Sequence, residues 1–418
     1  MMSTKQQDTG ARAAGPAHGN SAVSPAIDFQ DPAFHADPFP ALARLRTTAS
    51  IHAMQLPDGR RGWLVTRFED VTQALKNPRI STVPTVAHPE IEGHSIIMRL
   101  MLPVMVEMAP HDHARLRGLI AKAFTPRFVE GLRPRIQQIA DTLIDRVLPR
   151  GEMELINDFA FPLPITVIAE MLGLPVEDHD RLRDWSAVLF DSISMRFDAE
   201  SVAKAEDFAA YITALIETKR REPREDLISQ LVLAEEAGAR LSEEELRALI
   251  VLLIFAGHET TVNLLGNGML ALFTHPAELD KLRRDLSLVP SAVEELLRFC
   301  GPVNVPAMRY ATTDVEIGGM TIARGEILVL ALGSANRDEA QFPGADTLDI
   351  ARTSSKQLAF GHGVHYCVGA PLARLEAQVA LTTLLRRLPG LRLNAAPDAL
   401  EWRGNMTLRG LRALPVAF

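Results

Sequence analysis

Apolar positions recur at helical spacing along most of the chain and at strand spacing in two shorter regions. Asp37-Pro38 opens a helical pattern that runs through Arg46. Two strand-like runs follow, Ile51–Leu56 and Gly62–Arg67, joined by the turn signal Pro57-Asp58-Gly59. Phe68–Asn77 reads as helix again, and residues 78–108 then break the pattern, being irregular, methionine-rich and interrupted by Pro84, Pro89 and Pro103. From 111 to 299 helical periodicity dominates, punctuated by loops such as Gly173-Leu174-Pro175 and Arg221-Glu222-Pro223. Strand signals return after Pro302 with a hairpin over Val315–Ile322, and a strongly helical segment runs from about Pro371 to Leu388. The expected fold is mostly α with a minor β portion.

The clearest element opens at Ser242. Ser242 and Glu245 form a capping box, and the helical pattern continues to about Phe273. A helix of roughly 31 residues is about 46 Å long and crosses a whole domain. Its centre, Ala248–Ala256, is almost wholly apolar and is expected to be buried. The longest apolar run, Leu249–Ala256, falls well short of the roughly 18 residues that a membrane span needs, so a soluble chain is expected.

Composition narrows the picture further. The chain has 418 residues, 47 % of them hydrophobic, which suits a large packed core. A formal charge of −8 argues against a nucleic-acid partner. With only Cys300 and Cys367, a disulfide framework is not expected, in keeping with a reducing cytoplasm. Residues 1–25, rich in Ala, Gly, Gln and Ser, read as a disordered tail. Nothing in 26–418 marks a repeat or a linker, so one domain is expected there.

Two stretches carry candidate chemistry. Inside the apolar helix lies Ala256-Gly257-His258-Glu259-Thr260-Thr261. A carboxylate and a hydroxyl are costly in a core unless they have partners or a task. Val262 stands where a zinc protease would need histidine, and Thr260 can simply bond back to the carbonyl of Ala256. His258 either packs or faces a substrate. The second stretch is Phe360-Gly361-His362-Gly363-Val364-His365-Tyr366-Cys367-Val368-Gly369-Ala370. It puts a cysteine before a helix N-terminus, whose amides lower a thiol pKa. Gly361, Gly363 and Gly369 let backbone turn tightly against a flat group. Tyr366 breaks a dinucleotide-loop reading, and there is no Cys-x-x-Cys.

The second stretch resembles the ligand loop of the cytochrome P450 family, Phe-Gly-x-Gly-x-His-x-Cys-x-Gly. Phe360, Gly361, Gly363, His365, Cys367 and Gly369 fill every defined position. The resemblance implies the single-domain P450 fold, a long central helix over haem b, and Cys367 as the iron ligand. The helix motif is similar to the family's (Ala/Gly)-Gly-x-(Asp/Glu)-Thr. It implies a local widening of the helix, a Thr260 hydroxyl directed at dioxygen and Glu259 as proton relay, with small Ala256 and Gly257 leaving room for oxygen and substrate. Glu295-Leu296-Leu297-Arg298 resembles the family's Glu-x-x-Arg, with Arg352 as third member of a buried structural ion network, although Leu348 replaces a more usual phenylalanine. His113 and Arg117 resemble the helix pattern Pro-x-x-His-x-x-x-Arg, with Met108 at a frequent aspartate position. With Arg309 and His365 they are implied to hold the haem propionates. His111-Asp112-His113 lacks the further spaced ligands that a metal cluster would need.

The resemblance also places substrate-facing segments near 80–105, 189–196, 254–261, 303–307 and 406–407. Ile97, Met98, Ala256, Val303, Val305 and Met406 are the expected pocket residues. Methionine and branched side chains there suit a bulky apolar molecule of secondary-metabolite, terpenoid, steroid or fatty-acyl type. Electrons are implied to come from a ferredoxin and its reductase, docking on Lys122, Arg127, Arg337 and Lys356. The implied protein is a cytoplasmic, monomeric haem-thiolate monooxygenase that hydroxylates or epoxidises its substrate, with no membrane or nucleic-acid partner. A peroxide-driven enzyme or a haem-binding sensor would need Cys367 but not the Glu259–Thr260 pair.

Overall fold

Glu243–Thr274 is a single α-helix of 32 residues in the computed structural model, which describes residues 27–29, 31–56, 59–84, 105–178, 181–186, 198–233, 235–236, 239–353 and 356–418. The capping box forms as the sequence predicts. Glu245 N donates to Ser242 Oγ at 3.1 Å, and Ser242 N donates to Glu245 Oε2 at 2.9 Å. Apolar side chains ring this helix almost completely, so it needs neighbours on nearly every side. Helices Pro162–Leu172, Val289–Cys300 and Ala370–Arg387 pack against it, as does strand Arg409–Leu411.

The minor β portion centres on five strands in the order Ile51–Gln55, Arg61–Val65, Ile327–Leu330, Arg309–Ala311, Ile80–Ser81. All pairs are antiparallel except Ile327–Leu330 with Arg61–Val65. Alternation sorts the side chains between two cores. Trp63, Val65, Leu328 and Leu330 join Val71 and Leu75 of helix Phe68–Lys76, whereas Leu64, Ile327 and Val329 join Phe29 and Leu45 on the other face. The hairpin of Val315–Ile317 with Met320–Ile322 also forms as expected.

Differences from the sequence reading are local. A short helix, Pro32–Ala36, precedes the expected one, with Asp31 Oδ1 capping Ala33 N at 2.8 Å. The next helix runs Phe39–Thr48. The Pro57-Asp58 part of the turn, residues 85–104, and 189–196 lie outside the described residues, and Ile97 and Met98 with them.

Candidate active site

The cysteine loop is shaped by its backbone. Gly361 and Gly363 have φ of +70° and +72°, a region that side chains with Cβ rarely occupy. A Cβ on Gly363 would also lie 3.2 Å from the Leu75 carbonyl oxygen. Cys367 N donates to Phe360 O at 3.0 Å, and Tyr366 N donates to Gly363 O at 3.1 Å. These bonds fix the cysteine just ahead of helix Ala370–Arg387. Cys367 keeps one exposed side, yet enough protein surrounds it that burial holds the thiol above its ordinary range. The Gly369 and Ala370 amides and the charges of Arg117 and Arg374 pull in the opposite direction. The amides therefore act in the expected sense, but desolvation outweighs them. Cys300 is the inert cysteine: it is buried, bonds Leu296 O at 3.3 Å and has its thiol pushed up to about 12 by burial.

Four expected cationic residues converge beside this loop. His113 is buried, and its ring lies 4.4 Å from that of His365. Arg117 Nη2 donates to Tyr366 O at 2.5 Å. Arg309 Nη1 and His365 Nδ1 are buried without a hydrogen-bond partner among the described residues. Burial lowers His365 to about 4, and every charge acting on it, from Arg309, His113 and Arg117, is cationic. Burial alone lowers Arg309 to about 10. An unpaired guanidinium nitrogen and an unpaired imidazole nitrogen, with only cationic groups acting on them, fit an anionic ligand, and two carboxylates at one edge of a haem meet that need. His111, by contrast, is exposed and turned to Asp112, so it does not share a site with His113.

The central helix opens on one narrow face. Leu252, Ala256 and Thr260, four residues apart, are exposed or half-buried, as is Gly257 beside Ala256, while the other residues from 248 to 262 are covered. Thr260 Oγ1 donates to Ala256 O at 3.0 Å. The helix is regular through this point, so the expected widening is not present and the back-bonded hydroxyl is. Gly257, half-buried beside that face, also has a packing role: a Cβ there would sit 2.8 Å from Ile168 Cγ1, so its bare backbone admits helix Pro162–Leu172.

Glu259 is buried, and Arg403 Nη2 donates to its Oε1. Asn263 Nδ2 donates to the same oxygen at 3.3 Å. His258 is wholly buried, with Nδ1 2.7 Å from Ile254 O and its ring edge-on to Phe161. It packs behind the open face. Sequence reasoning missed Arg403, which sits on strand Trp402–Gly404, far along the chain, with no local pattern to mark it. It also missed Glu376 of helix Ala370–Arg387, a fully buried carboxyl that burial raises to about 8, opposed by the Thr261 hydroxyl. The signal was a lone acid among Leu372, Leu375, Ala377, Val379 and Ala380.

The expected ion network is assembled. Arg298 Nε and Nη2 bind Glu295 at 2.7 and 2.8 Å, and Arg352 Nε reaches the same carboxylate at 3.2 Å. Arg298 Nη1 also donates to Asn336 O, while Asn336 Oδ1 accepts from Leu358 N at 2.7 Å, just ahead of the cysteine loop. Arg337 is not a surface cation. It is buried, donates twice to Phe299 O, pairs with Asp346 and stacks 3.6 Å over Phe299. Lys122, Arg127 and Lys356 are exposed. Val305, at 1 % exposure, fills the core with Tyr310 and Val329 and does not line an open pocket. Val303 and Met406 are half-buried.

Comparison with known proteins identifies the family. The family model described as Cytochrome P450 matches residues 180–402. The chain is 46 % identical to "Cytochrome P450 107B1" of Saccharopolyspora erythraea over 92 % of its own length and 96 % of the relative's. It is 42 % identical to "Mycinamicin IV hydroxylase/epoxidase" of Micromonospora griseorubida, covering 90 % and 94 %. The solved structure of myxobacterial cytochrome P450 CYP267B1 in complex with myristic acid superposes with a TM-score of 0.84 at 43 % identity, covering 93 % and 98 %. Such membership implies a haem-thiolate cofactor, the group that the orphaned cations beside Cys367 fit. The chain belongs to the cytochrome P450 family and is a monooxygenase.

Proposed function

We propose that this monooxygenase hydroxylates or epoxidises a bulky apolar small molecule of secondary-metabolite or fatty-acyl type. The observation that carries this reading is the open stripe Leu252–Ala256–Thr260, with Gly257 beside it, on a helix whose centre is otherwise buried. It offers one apolar wall with a single hydroxyl. Half-buried Val303 and Met406 supply further apolar surface, and the oxidised compounds named for relatives are of the same kind.

Cys367 would hold the iron of haem b, and His113, Arg117, Arg309 and His365 would hold its propionates. Phe360, Gly361 and Gly369 shape the loop that carries Cys367. When bound, the haem supplies an iron at which dioxygen is activated for insertion of one oxygen atom into the substrate. Thr260 can release the Ala256 carbonyl and turn its hydroxyl into the cavity, an exchange of one hydrogen bond worth about 1 kcal/mol. Glu259, paired with Arg403, relays the protons that this hydroxyl hands on. Glu295, Arg298 and Arg352 hold the loop in register through Asn336 and Leu358. Electrons come from a separate ferredoxin and reductase, with Lys122, Arg127 and Lys356 as the cationic docking groups. The protein works as a cytoplasmic monomer.

The test is a spin-state titration of the ferric holoenzyme with mycinamicin IV, a macrolide, and with myristic acid, a fatty acid. A shift with either, followed by oxygenated product when a ferredoxin chain is added, supports the reading. No shift with these or with a wider apolar panel would refute it. Cys367→Ala must abolish the thiolate-type carbon-monoxide spectrum, and Thr260→Ala must divert electrons to peroxide.

A further inference from the structure

The side chains of His258, Glu259 and Thr260 leave the central helix about 100° apart, as successive residues of an α-helix do. Thr260 lies on the open face, and His258 is buried behind it. Glu259 stands between them. Its Oε1 is held by Arg403 and Asn263, while its Oε2 lies 3.9 Å from His258 Nε2. His258 Nδ1, 2.7 Å from the Ile254 carbonyl, must be the protonated nitrogen, because a carbonyl only accepts. Nε2 is then a lone pair, buried and without a hydrogen-bond partner among the described residues.

A buried acceptor without a donor is costly, by about 1–3 kcal/mol, unless a donor arrives at some stage of function. The group placed to become that donor is a protonated Glu259. We propose that His258 is a positioning residue for the proton of Glu259, its Nε2 accepting a hydrogen bond from the protonated carboxyl. Glu259 then has two resting places. As a carboxylate it pairs with Arg403. After taking a proton from hydronium in the solvent on the partly exposed Arg403 side, it turns Oε2–H to His258 until Thr260 accepts that proton as it hands its own hydroxyl proton on, and the carboxylate returns to Arg403. No charge need form on the imidazole, since burial opposes imidazolium, with Glu259 favouring and Arg403 disfavouring it. Phe161 and Phe255, edge-on to the ring, add no titrating group.

This inference rests on the proton-relay role of Glu259, and the tests separate the two. In the diamagnetic ferrous carbon-monoxide form of the ¹⁵N-histidine-labelled holoenzyme, the His258 signals are identified by their loss in His258→Gln. They are expected to show the neutral Nδ1–H tautomer throughout neutral pH. An Nε2–H tautomer would overturn the proposal. Under turnover with the probe that gives the larger spin-state shift, or without either probe, peroxide released per NAD(P)H consumed is compared among variants. His258→Leu is expected to slow proton delivery about tenfold, less than the roughly hundredfold or more that the positioned acid itself contributes. His258→Gln, which keeps an acceptor near Nε2, is expected to recover most of it. Wild-type coupling in His258→Leu, together with strong uncoupling in Glu259→Gln, would refute the His258 proposal alone. Unchanged coupling in Glu259→Gln would remove the relay itself.

Discussion

The ion network behind the cysteine loop makes an ordered prediction, because two guanidinium groups face one carboxylate. Glu295 and Arg298 side chains are 2 % and 1 % exposed, whereas Arg352 is 13 % exposed. Glu295→Leu leaves two cations facing each other, one of them fully buried, and breaking a buried pair in this way costs about 3–5 kcal/mol. Arg298→Leu leaves a neutral Glu295–Arg352 pair, but it strips donors from the carbonyls of Asn336 and Ala345, and a cost near the lower end, about 3 kcal/mol, is expected. Arg352→Leu leaves the bidentate Glu295–Arg298 pair intact. The Pro343 and Gly344 carbonyls that it releases are open to water, so about 1–2 kcal/mol is expected. The order is therefore Glu295 ≥ Arg298 > Arg352. Equilibrium urea unfolding of the holoenzyme, followed by tryptophan fluorescence, measures it. The fraction of thiolate-type carbon-monoxide spectrum shows whether the loop follows through Asn336 and Leu358. An Arg352 variant as unstable as the Glu295 variant would refute the charge argument. An unstable Glu295 variant with an undisturbed spectrum would refute the connection to the loop.

Gly257→Val should overpack the seam with Ile168, lowering stability by about 1–3 kcal/mol in thermal unfolding, and Ile168→Ala should relieve part of that loss. Glu376 has its folded pKa raised from 4.5 to about 8 by burial, so its contribution to stability is whole below about 4.5 and is lost as pH rises through about 8. Glu376→Gln should therefore flatten the stability curve over that window by about 1 kcal/mol per pH unit, checked by urea unfolding at several pH values; parallel curves would count against it. Reduction by a ferredoxin should slow with rising salt, and charge reversal at Lys122, Arg127 and Lys356 should weaken that salt dependence in stopped-flow measurements. A salt-independent rate would remove these residues from docking.

Some of this site was legible in the sequence because its physics is local. The capping box at Ser242 and Glu245 starts the central helix, and the apolar run after it demands burial, so both ends of the argument lie within one segment. The glycines around Cys367 are likewise a statement about adjacent backbone. What escaped depends on neighbours brought from far along the chain. Arg337 reads as a surface cation because arginine usually is one, yet the Phe299 carbonyl and the Phe39 and Phe299 rings give its fork a dry home. Val305 and Val303 lie two apart and look equivalent, but only one turns into the core packed around Tyr310. Gly257 reads as room for a ligand, and its packing role shows only once Ile168 is set against it. Arg403 had no mark at all, since its partner Glu259 is reached only when the hairpin of Trp402–Gly404 with Arg409–Leu411 closes on the helix.

The central helix has to satisfy opposed demands over a few residues, and its composition shows how. Burial on nearly every side calls for apolar side chains, while proton movement calls for groups that exchange partners at low cost. Each polar group there carries a local bond as a holding position: Thr260 on the Ala256 carbonyl, His258 on that of Ile254, Asn263 on Glu259. A back-bonded threonine is therefore compatible with a catalytic role. It is a half-buried hydroxyl kept satisfied until a better acceptor reaches the open face, at a difference of about 1 kcal/mol, small against the roughly 3–5 kcal/mol that would follow from breaking the Glu295 network. Two kinds of polar construction thus sit in one core. The one behind the cysteine is over-bonded and rigid, and the one along the helix holds each group by few bonds, so that it can let go.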